Sequence, residues 1–261
     1  MRSDNGPDGS GRWPTGARHV VVALVVLSIL LGACSGSDGG SESGSASSAT
    51  TAAVTTTRPG TTATAEGAPR RFEAEVWADN WFSLTVNGEL VGEDSVPITT
   101  ERSFNAETIQ FEAAYPLTIA VVAKDFKEDD TGLEYIGTDR QQMGDGGLIA
   151  QITDLDTGEV VAVTGTDWRG LVIHRAPLDP ACETSADPTA DCTSEISAER
   201  EGWTTASFDD AAWVAATTYT AAEVGAKDGY AEISWDPAAR LIWTSSLEQD
   251  NTVLWRHTVD A

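Results

Sequence analysis

Histidines and paired carboxylates are the first groups to consider for catalysis. Beyond residue 33 the histidines are His174 and His257, both in strand-like runs, and the sequence has no Gly-x-Ser-x-Gly, Walker or His-Glu-x-x-His motif. A histidine-based triad or a three-histidine metal site is therefore not predicted. Asp209 and Asp210 are compatible with a glycosidase pair. Their Phe-Asp-Asp-x-x-Trp context fits a capped turn better, so we expect no catalytic centre, with an undetected hydrolase as the alternative.

Acidic residues between positions 125 and 147 form the second candidate site. Asp125, Asp129, Asp130 and Glu134 precede the sequence Asp145-Gly146-Gly147. Calcium takes six to eight oxygen ligands, so this segment predicts a calcium site, and calcium is the cofactor we expect if there is one. The spacing does not match the 12-residue pattern of an EF-hand. The alternative is a solvated acidic surface.

Tryptophan is abundant, with nine in the chain and eight of them after residue 70. Sugar-binding proteins stack pyranose rings on exposed aromatic side chains and bind the hydroxyls with nearby carboxylates and amides. Four tryptophans lie in apolar contexts and are predicted to be core: Trp77, Trp213, Trp243 and Trp255. Those at strand starts or in polar loops, together with two polar neighbours, are the predicted ligand-binding residues: Asp79, Asn80, Trp81, Trp168 and Trp203. The alternative is that these tryptophans are buried too.

Strands are expected to position these groups, because the sequence consists of short runs of alternating apolar and polar residues separated by turn residues. Residues 81–86 alternate and lead into Asn87-Gly88, a strong hairpin signal. A second hairpin is predicted around residues 156–158. Further strands are predicted at 108–112, 117–123, 148–153, 159–164, 170–174, 230–235, 241–244 and 252–259. Only residues 209–217 are compatible with a short helix, so the pattern predicts an antiparallel β-sandwich.

The order of several short motifs resembles one family. Residues 78–81 lead into Leu-Thr-Val-Asn-Gly at 84–88; Trp168, Phe-Asp-Asp-x-x-Trp at 208–213, Leu-Ile-Trp at 241–243 and Val-Leu-Trp-Arg at 253–256 follow. This order is similar to the galactose-binding-like jelly rolls that accompany bacterial glycoside hydrolases. The resemblance covers most of residues 72–261 and implies an all-β jelly-roll fold and an accessory binding role. A catalytic domain such as those modules accompany is not part of this sequence.

The N-terminal quarter has the composition of an export signal and a tether. Arginines precede a largely apolar run of twelve residues, 20–31, which is shorter than the roughly 18 residues of a membrane-spanning helix. Leu31-Gly32-Ala33-Cys34 follows and resembles a bacterial lipoprotein cleavage box, which implies that Cys34 carries the lipid. The alternative is an ordinary secretory signal with a chance cysteine. Residues 1–33 are thus predicted to be a signal peptide, 34–69 a disordered Ser/Gly/Thr/Ala tether and 70–261 the folded domain.

Cys182 and Cys192 are the remaining cysteines, and they lie in a stretch rich in Pro, Asp and Thr. In an exported protein this pair predicts a disulfide that pins a surface loop. Two cysteines without a nearby histidine make a poor zinc site, which is the alternative.

The net charge of −25 excludes sequence-independent binding to nucleic acid, because the phosphate backbone would be repelled. The sequence therefore predicts a lipid-anchored, non-catalytic binding module on the extracytoplasmic face of a bacterial membrane, with carbohydrate as its ligand. The alternative is a cell-surface lipoprotein that binds another protein.

Overall fold

The computed structural model describes residues 67–99 and 104–261. This part of the chain is all-β, with two antiparallel sheets packed as a sandwich. The strands are β1 (Arg70–Asp79), β2 (Trp81–Val86), β3 (Glu89–Glu93), β4 (Ala106–Ala113), β5 (Leu117–Lys124), β6 (Leu133–Glu134), β7 (Gln142–Met143), β8 (Gly147–Asp154), β9 (Glu159–Val163), β10 (Arg169–Arg175), β11 (Glu195–Ile196), β12 (Val214–Ala215), β13 (Thr217–Tyr219), β14 (Leu241–Trp243) and β15 (Asp250–Val259). The helices are short: α1 (Pro188–Asp191), α2 (Ala221–Val224), and 3₁₀ turns at Pro180–Thr184 and Asp228–Glu232.

Strand order defines two main sheets and one small hairpin. Sheet A has the order β13-β14-β8-β1-β4, and β9 pairs with β8. Sheet B has the order β11-β10-β15-β5-β2-β3, and β12 pairs with β10. β6 and β7 form a separate two-stranded hairpin. No helix among the described residues is long and apolar enough to cross a membrane.

Alternation along the strands divides the apolar side chains between the interior of the sandwich and the outer faces of the sheets. In β5, Ile119 and Val121 belong to the main core between the sheets, whereas Ala120 and Val122 belong to a cluster on the outer face of sheet B. Both faces of the central strands are thus covered, which explains why β5 is apolar at nearly every position.

Two long segments cover the outer faces of the sandwich. Trp203 and Trp213, from residues 197–213, pack with Val122 on the outer face of sheet B. Val224, from residues 221–239, packs with Trp77 and with Leu241 of β14 on the outer face of sheet A. The predicted core tryptophans Trp77, Trp213, Trp243 and Trp255 are all buried, which confirms that prediction.

Most of the predicted strands are confirmed, as are both hairpins. Asn87 and Gly88 have positive φ, 53° and 88°, as the tight turn between β2 and β3 requires. One predicted strand is wrong, and the one segment that was compatible with a short helix does not form it. Residues 230–235 form no strand: Asp228–Glu232 is a 3₁₀ turn, because Tyr230 and Trp235 pack against each other and in the Trp77 cluster rather than on opposite sheet faces. Residues 209–217 form no helix but a turn followed by β12.

Candidate functional sites

A groove of about 400 Å³ runs along β10 at the edge of sheet B. β12 pairs with Arg169 and Gly170, and β11 pairs with His174 and Arg175, both on the edge of β10 opposite β15. Within the described chain, residues 171–173 therefore lie between two short neighbouring strands on that edge. We call this concavity the β10 groove.

The walls of the β10 groove combine apolar and polar side chains. Leu171 and Ile173 contribute apolar surface, and Trp213 and Val214 line it from the covering segment. Hydroxyl and charged groups line it as well: Ser197, Thr217, Thr244, Ser245, Arg175, Glu195 and Asp250. The volume lies in the range of small-ligand sites, which is about 300–1,000 Å³.

An ionic network between the exposed Arg175 and the buried Asp250 fixes one end of this groove. The Arg175 guanidinium donates to both carboxylate oxygens of Asp250, with Nε–Oδ1 2.5 Å and Nη2–Oδ2 3.2 Å. The Thr244 hydroxyl also donates to Asp250, which is fully buried at the start of β15. Since both partners are held in a two-pronged pair, Arg175 presents its remaining donors from a defined position.

Two of the predicted stacking tryptophans are buried, which corrects their predicted role. Trp168 is 1% exposed and stacks on His257, while its indole N–H donates to the Val163 carbonyl. Trp203 is 5% exposed and packs at 6.1 Å from Trp213, with which it covers the outer face of sheet B. Neither ring offers a face for a sugar. Polar sequence neighbours suggested exposure, but Trp168 belongs to the core between the sheets and Trp203 packs on the outer face of sheet B.

The three other predicted ligand-binding residues do not form an exposed surface; they are Asp79, Asn80 and Trp81. Trp81 is half-buried, and the Lys124 ammonium lies 4.5 Å from its ring centre. Asn80 is buried, and its Oδ1 accepts from the Phe126 amide at 2.5 Å. This contact ties the β1–β2 connection to the chain leaving β5. Asp79 is buried as well.

Asp79 lies at the end of β1 and Asp125 directly after β5, at one end of the sandwich. The Asp125 amide donates to the Asn251 carbonyl at 2.9 Å. Burial raises the pKa of Asp125 well above its usual value, and the charges of Asp79, Glu134 and Asp145 raise it further. Burial raises the pKa of Asp79 in the same way, with Asp145 and Glu134 adding to the effect and Lys227 opposing it. We call Asp79, Asp125, Glu134 and Asp145 the acidic centre.

Of the four predicted calcium ligands, the structure brings Asp125 and Glu134 into the acidic centre but not Asp129 and Asp130. Asp129 accepts hydrogen bonds from the Thr131 amide and hydroxyl and so caps a turn. Asp130 is exposed and pairs with Lys127 at 2.9 Å. Asp129 and Asp130 are therefore removed from the predicted set of calcium ligands, because each is held by a local partner.

The Cys182–Cys192 disulfide is present, with Cα atoms 5.5 Å apart. The loop that it closes packs on the segment leading into β7. The Gln141 amide donates to the carbonyls of Glu183 and Ser185, and the Glu183 carboxylate accepts from the Met143 amide at 3.1 Å. The disulfide loop thus contributes a wall close to the acidic centre.

The histidines and the Asp209-Asp210 pair have local structural partners. Burial lowers the pKa of His174, and the charge of Lys127 acts in the same direction. His257 stacks on Trp168. Asp209 accepts from the Ala211 amide at 3.0 Å, and Asp210 pairs with Arg256. Neither histidine nor either of these carboxylates is among the residues that line the β10 groove.

Sequence reasoning missed several residues of both sites. Arg175, Glu195 and Asp250 of the groove come from three separate segments, and no spacing links them. Asp145 was noted in the sequence only as part of an acidic run. The alternation of Phe72, Ala74 and the other apolar residues of β1 with polar residues was an available signal for the strand that positions Asp79.

Comparison of the chain with protein-family models, curated proteins and solved structures gives no match.

Proposed function

We propose that residues 70–261 form a non-catalytic binding module that takes carbohydrate in the β10 groove. In this proposal a lipid on Cys34 holds the module at the extracytoplasmic face of a bacterial membrane. Cys34 and the predicted signal and tether lie outside the described residues, so their support is the sequence pattern alone.

The mixed lining of the β10 groove is the observation that carries the carbohydrate proposal. A pyranose offers apolar C–H faces and a rim of hydroxyls, and it needs both kinds of contact. Leu171 and Val214 supply apolar surface, while Arg175, Glu195 and Ser197 supply donors and acceptors. A rigid sandwich that presents such a groove at its edge suits recognition without chemistry.

A glycan array with the purified full-length protein tests this proposal, with two matched variants. Val214 lines the groove, and Val160 lies on β9 of the other sheet; both side chains are exposed. Val214→Arg places a long charged side chain at the groove and is expected to lower affinity for any bound glycan at least about tenfold. Val160→Arg is expected to leave binding unchanged. A silent array, or equal loss in both variants, would count against a sugar site in this groove.

A protein partner is the second candidate function, and the strand arrangement favours it specifically. Residues 171–173 lie between β11 and β12, whose Ile196 and Val214 are more than half exposed. An extended peptide could add to such an edge through main-chain hydrogen bonds. A photo-crosslinker at position 214, but not at 160, would then capture one protein at the cell surface. Binding of that protein should slow hydrogen exchange at Leu171 and Ile173.

A further inference from the structure

Asp79 and Asp125 are buried carboxylates whose hydrogen bonding is incomplete. Asp79 is 2% exposed and Asp125 is 3% exposed. In the described part of the chain, the Oδ2 atom of each has no hydrogen-bond partner. A buried carboxylate oxygen without a partner is costly, and folded proteins normally pair such groups or use them to bind an ion.

The surroundings of this pair add negative charge. The negative charges of Glu134 and Asp145 raise the pKa of both Asp79 and Asp125 by like-charge repulsion. Lys227 opposes this effect at Asp79 and Asp145. Four carboxylates thus share one region of the fold, and a partner with more than one positive charge would reduce their repulsion.

Asp125 points toward the loop that carries Asp145. A Cβ atom added to Gly144 would overlap the Oδ2 atom of Asp125, so this oxygen lies against the Gly144 backbone. Gly144 and Asp145 also line a solvent-open pocket of about 600 Å³, with Glu183, Glu223 and Glu248 along its walls. An ion in solvent therefore has an acidic approach that ends next to the buried oxygen.

We propose that the acidic centre binds a calcium ion, with the side-chain oxygens of Asp79 and Asp125 as its inner ligands. No group of three or more His, Cys, Asp or Glu side chains is already arranged for a metal among residues 67–99 and 104–261. In the proposed site Glu134 and Asp145, which lie outside the long core strands, turn toward the inner pair when the ion arrives. Amide and backbone oxygens complete the coordination.

Calcium suits these groups better than a transition metal because all the side-chain ligands are oxygens and some of them must move. Calcium tolerates six to eight oxygens in flexible geometry, whereas magnesium requires a near-ideal octahedron. Modules outside the cell bind calcium with Kd values of about 0.1–1 mM. None of the four residues of the acidic centre lines the β10 groove, so loss of calcium binding and loss of carbohydrate binding can be distinguished.

Thermal unfolding of the full-length protein, stripped with a chelator, provides the first test. Calcium at 10 mM is expected to raise the Tm by roughly 3–10 °C, and magnesium at the same concentration by much less. Calorimetric titration with calcium should give one saturable binding event. Absence of both heat and a Tm shift would overturn the proposal and leave bound protons as the means of neutralising the buried pair.

Asp125→Asn separates a ligand role from simple structural damage. The amide keeps the shape of the side chain and removes one repelling charge, so the calcium-free Tm is expected to rise while the calcium response is lost. Asp130→Asn, at the exposed partner of Lys127, is the matched control and should respond to calcium as the unsubstituted protein does. A normal calcium response in Asp125→Asn would contradict the assignment.

Terbium provides an optical test of the position of the ion. The Trp243 ring packs against Gly146, next to Asp145 in sequence. Terbium in the acidic centre would therefore lie near a tryptophan donor, and excitation of tryptophan should give terbium emission that calcium displaces. Emission that persists in Asp125→Asn would place the ion elsewhere and reject this site.

Discussion

Arg256 in the last strand and Asp210 in the segment that covers sheet B form an ion pair, with 2.8 Å between Nε and Oδ2. Arg256 is 2% exposed, donates a second hydrogen bond to the Trp203 carbonyl and lies over the Phe208 ring. The Phe-Asp-Asp-x-x-Trp motif and the terminal arginine, which are far apart in sequence, are thus one structural unit. This unit holds the segment that brings Trp213 to the β10 groove.

Removing the charge of Asp210 should destabilise the domain. Asp210→Asn leaves the buried Arg256 guanidinium without its counter-charge, so the free energy of unfolding is expected to fall by about 1–3 kcal/mol. Urea unfolding measures this change. Asp209→Asn is the matched control, because Asp209 bonds only its local turn amide at Ala211, and a loss under about 1 kcal/mol is expected. Equal losses in the two variants would argue against the pair.

Reduction of the Cys182–Cys192 disulfide should lower stability by about 2–3 kcal/mol, because the unfolded chain regains the freedom of a loop of this size. Urea unfolding with and without reductant measures the difference. The double variant Cys182→Ser/Cys192→Ser should match the reduced protein and ignore reductant. If reductant destabilises the double variant as well, the effect does not come from this bridge.

The Asp94 carboxyl is expected to make the stability of the domain depend on pH. It is buried, and burial raises its pKa to about 6. Because this pKa is higher than in the unfolded chain, the stabilisation is complete below pH 4 and is lost as the pH rises through about 6. Asp94→Asn should remove this part of the pH dependence, worth roughly 1–3 kcal/mol between pH 4 and 7.

Asp156 provides a control of opposite sign for this measurement. A hydrogen bond from Arg71 lowers the pKa of the exposed Asp156 carboxyl. Its contribution is present above the unfolded pKa and is lost as the pH falls. Asp156→Asn should therefore leave the loss of stability between pH 4 and 6 in place. A profile for Asp94→Asn that matches the unsubstituted protein would show that other groups cause the effect.

The proposed lipid attachment at Cys34 predicts that the protein is found in the membrane fraction of a bacterial cell. Cys34→Ser should release it from the membrane fraction, as followed by fractionation and immunoblotting, and should abolish incorporation of labelled fatty acid. Cys182→Ser leaves the proposed lipidation site intact and is the control. Retention of Cys34→Ser in the membrane with unchanged labelling would disprove anchoring through this residue.

Local signals in the sequence predicted most of the long strands but missed β1 in the middle of sheet A. Asn87-Gly88 predicts a tight hairpin from two residues, and the alternation in β2 and the apolar run of β5 are properties of each strand alone. Residues 230–235 show the limit of that reasoning. Tyr230 and Trp235 have the spacing and composition of a strand, but their packing with Trp77 fixes a 3₁₀ turn instead.

The sites depend on which segments the topology brings together, and the sequence does not show this. Asp79 and Asp125 meet because the ends of β1 and β5 lie at one end of the sandwich, whereas Asp129 and Asp130 turn away although they are nearer in sequence. The exposure of a tryptophan likewise depends on the distant surface against which it packs, as Trp203 shows on the outer face of sheet B.

The most direct test of carbohydrate binding in the β10 groove is an NMR titration of protein labelled with ¹⁵N at tryptophan, using a glycan that binds on the array. The Trp213 indole signal should move in proportion to occupancy, while those of the core residues Trp168 and Trp243 stay in place. A shift at Trp81 with Trp213 unchanged, or no shift at any indole under saturating glycan, would contradict the account.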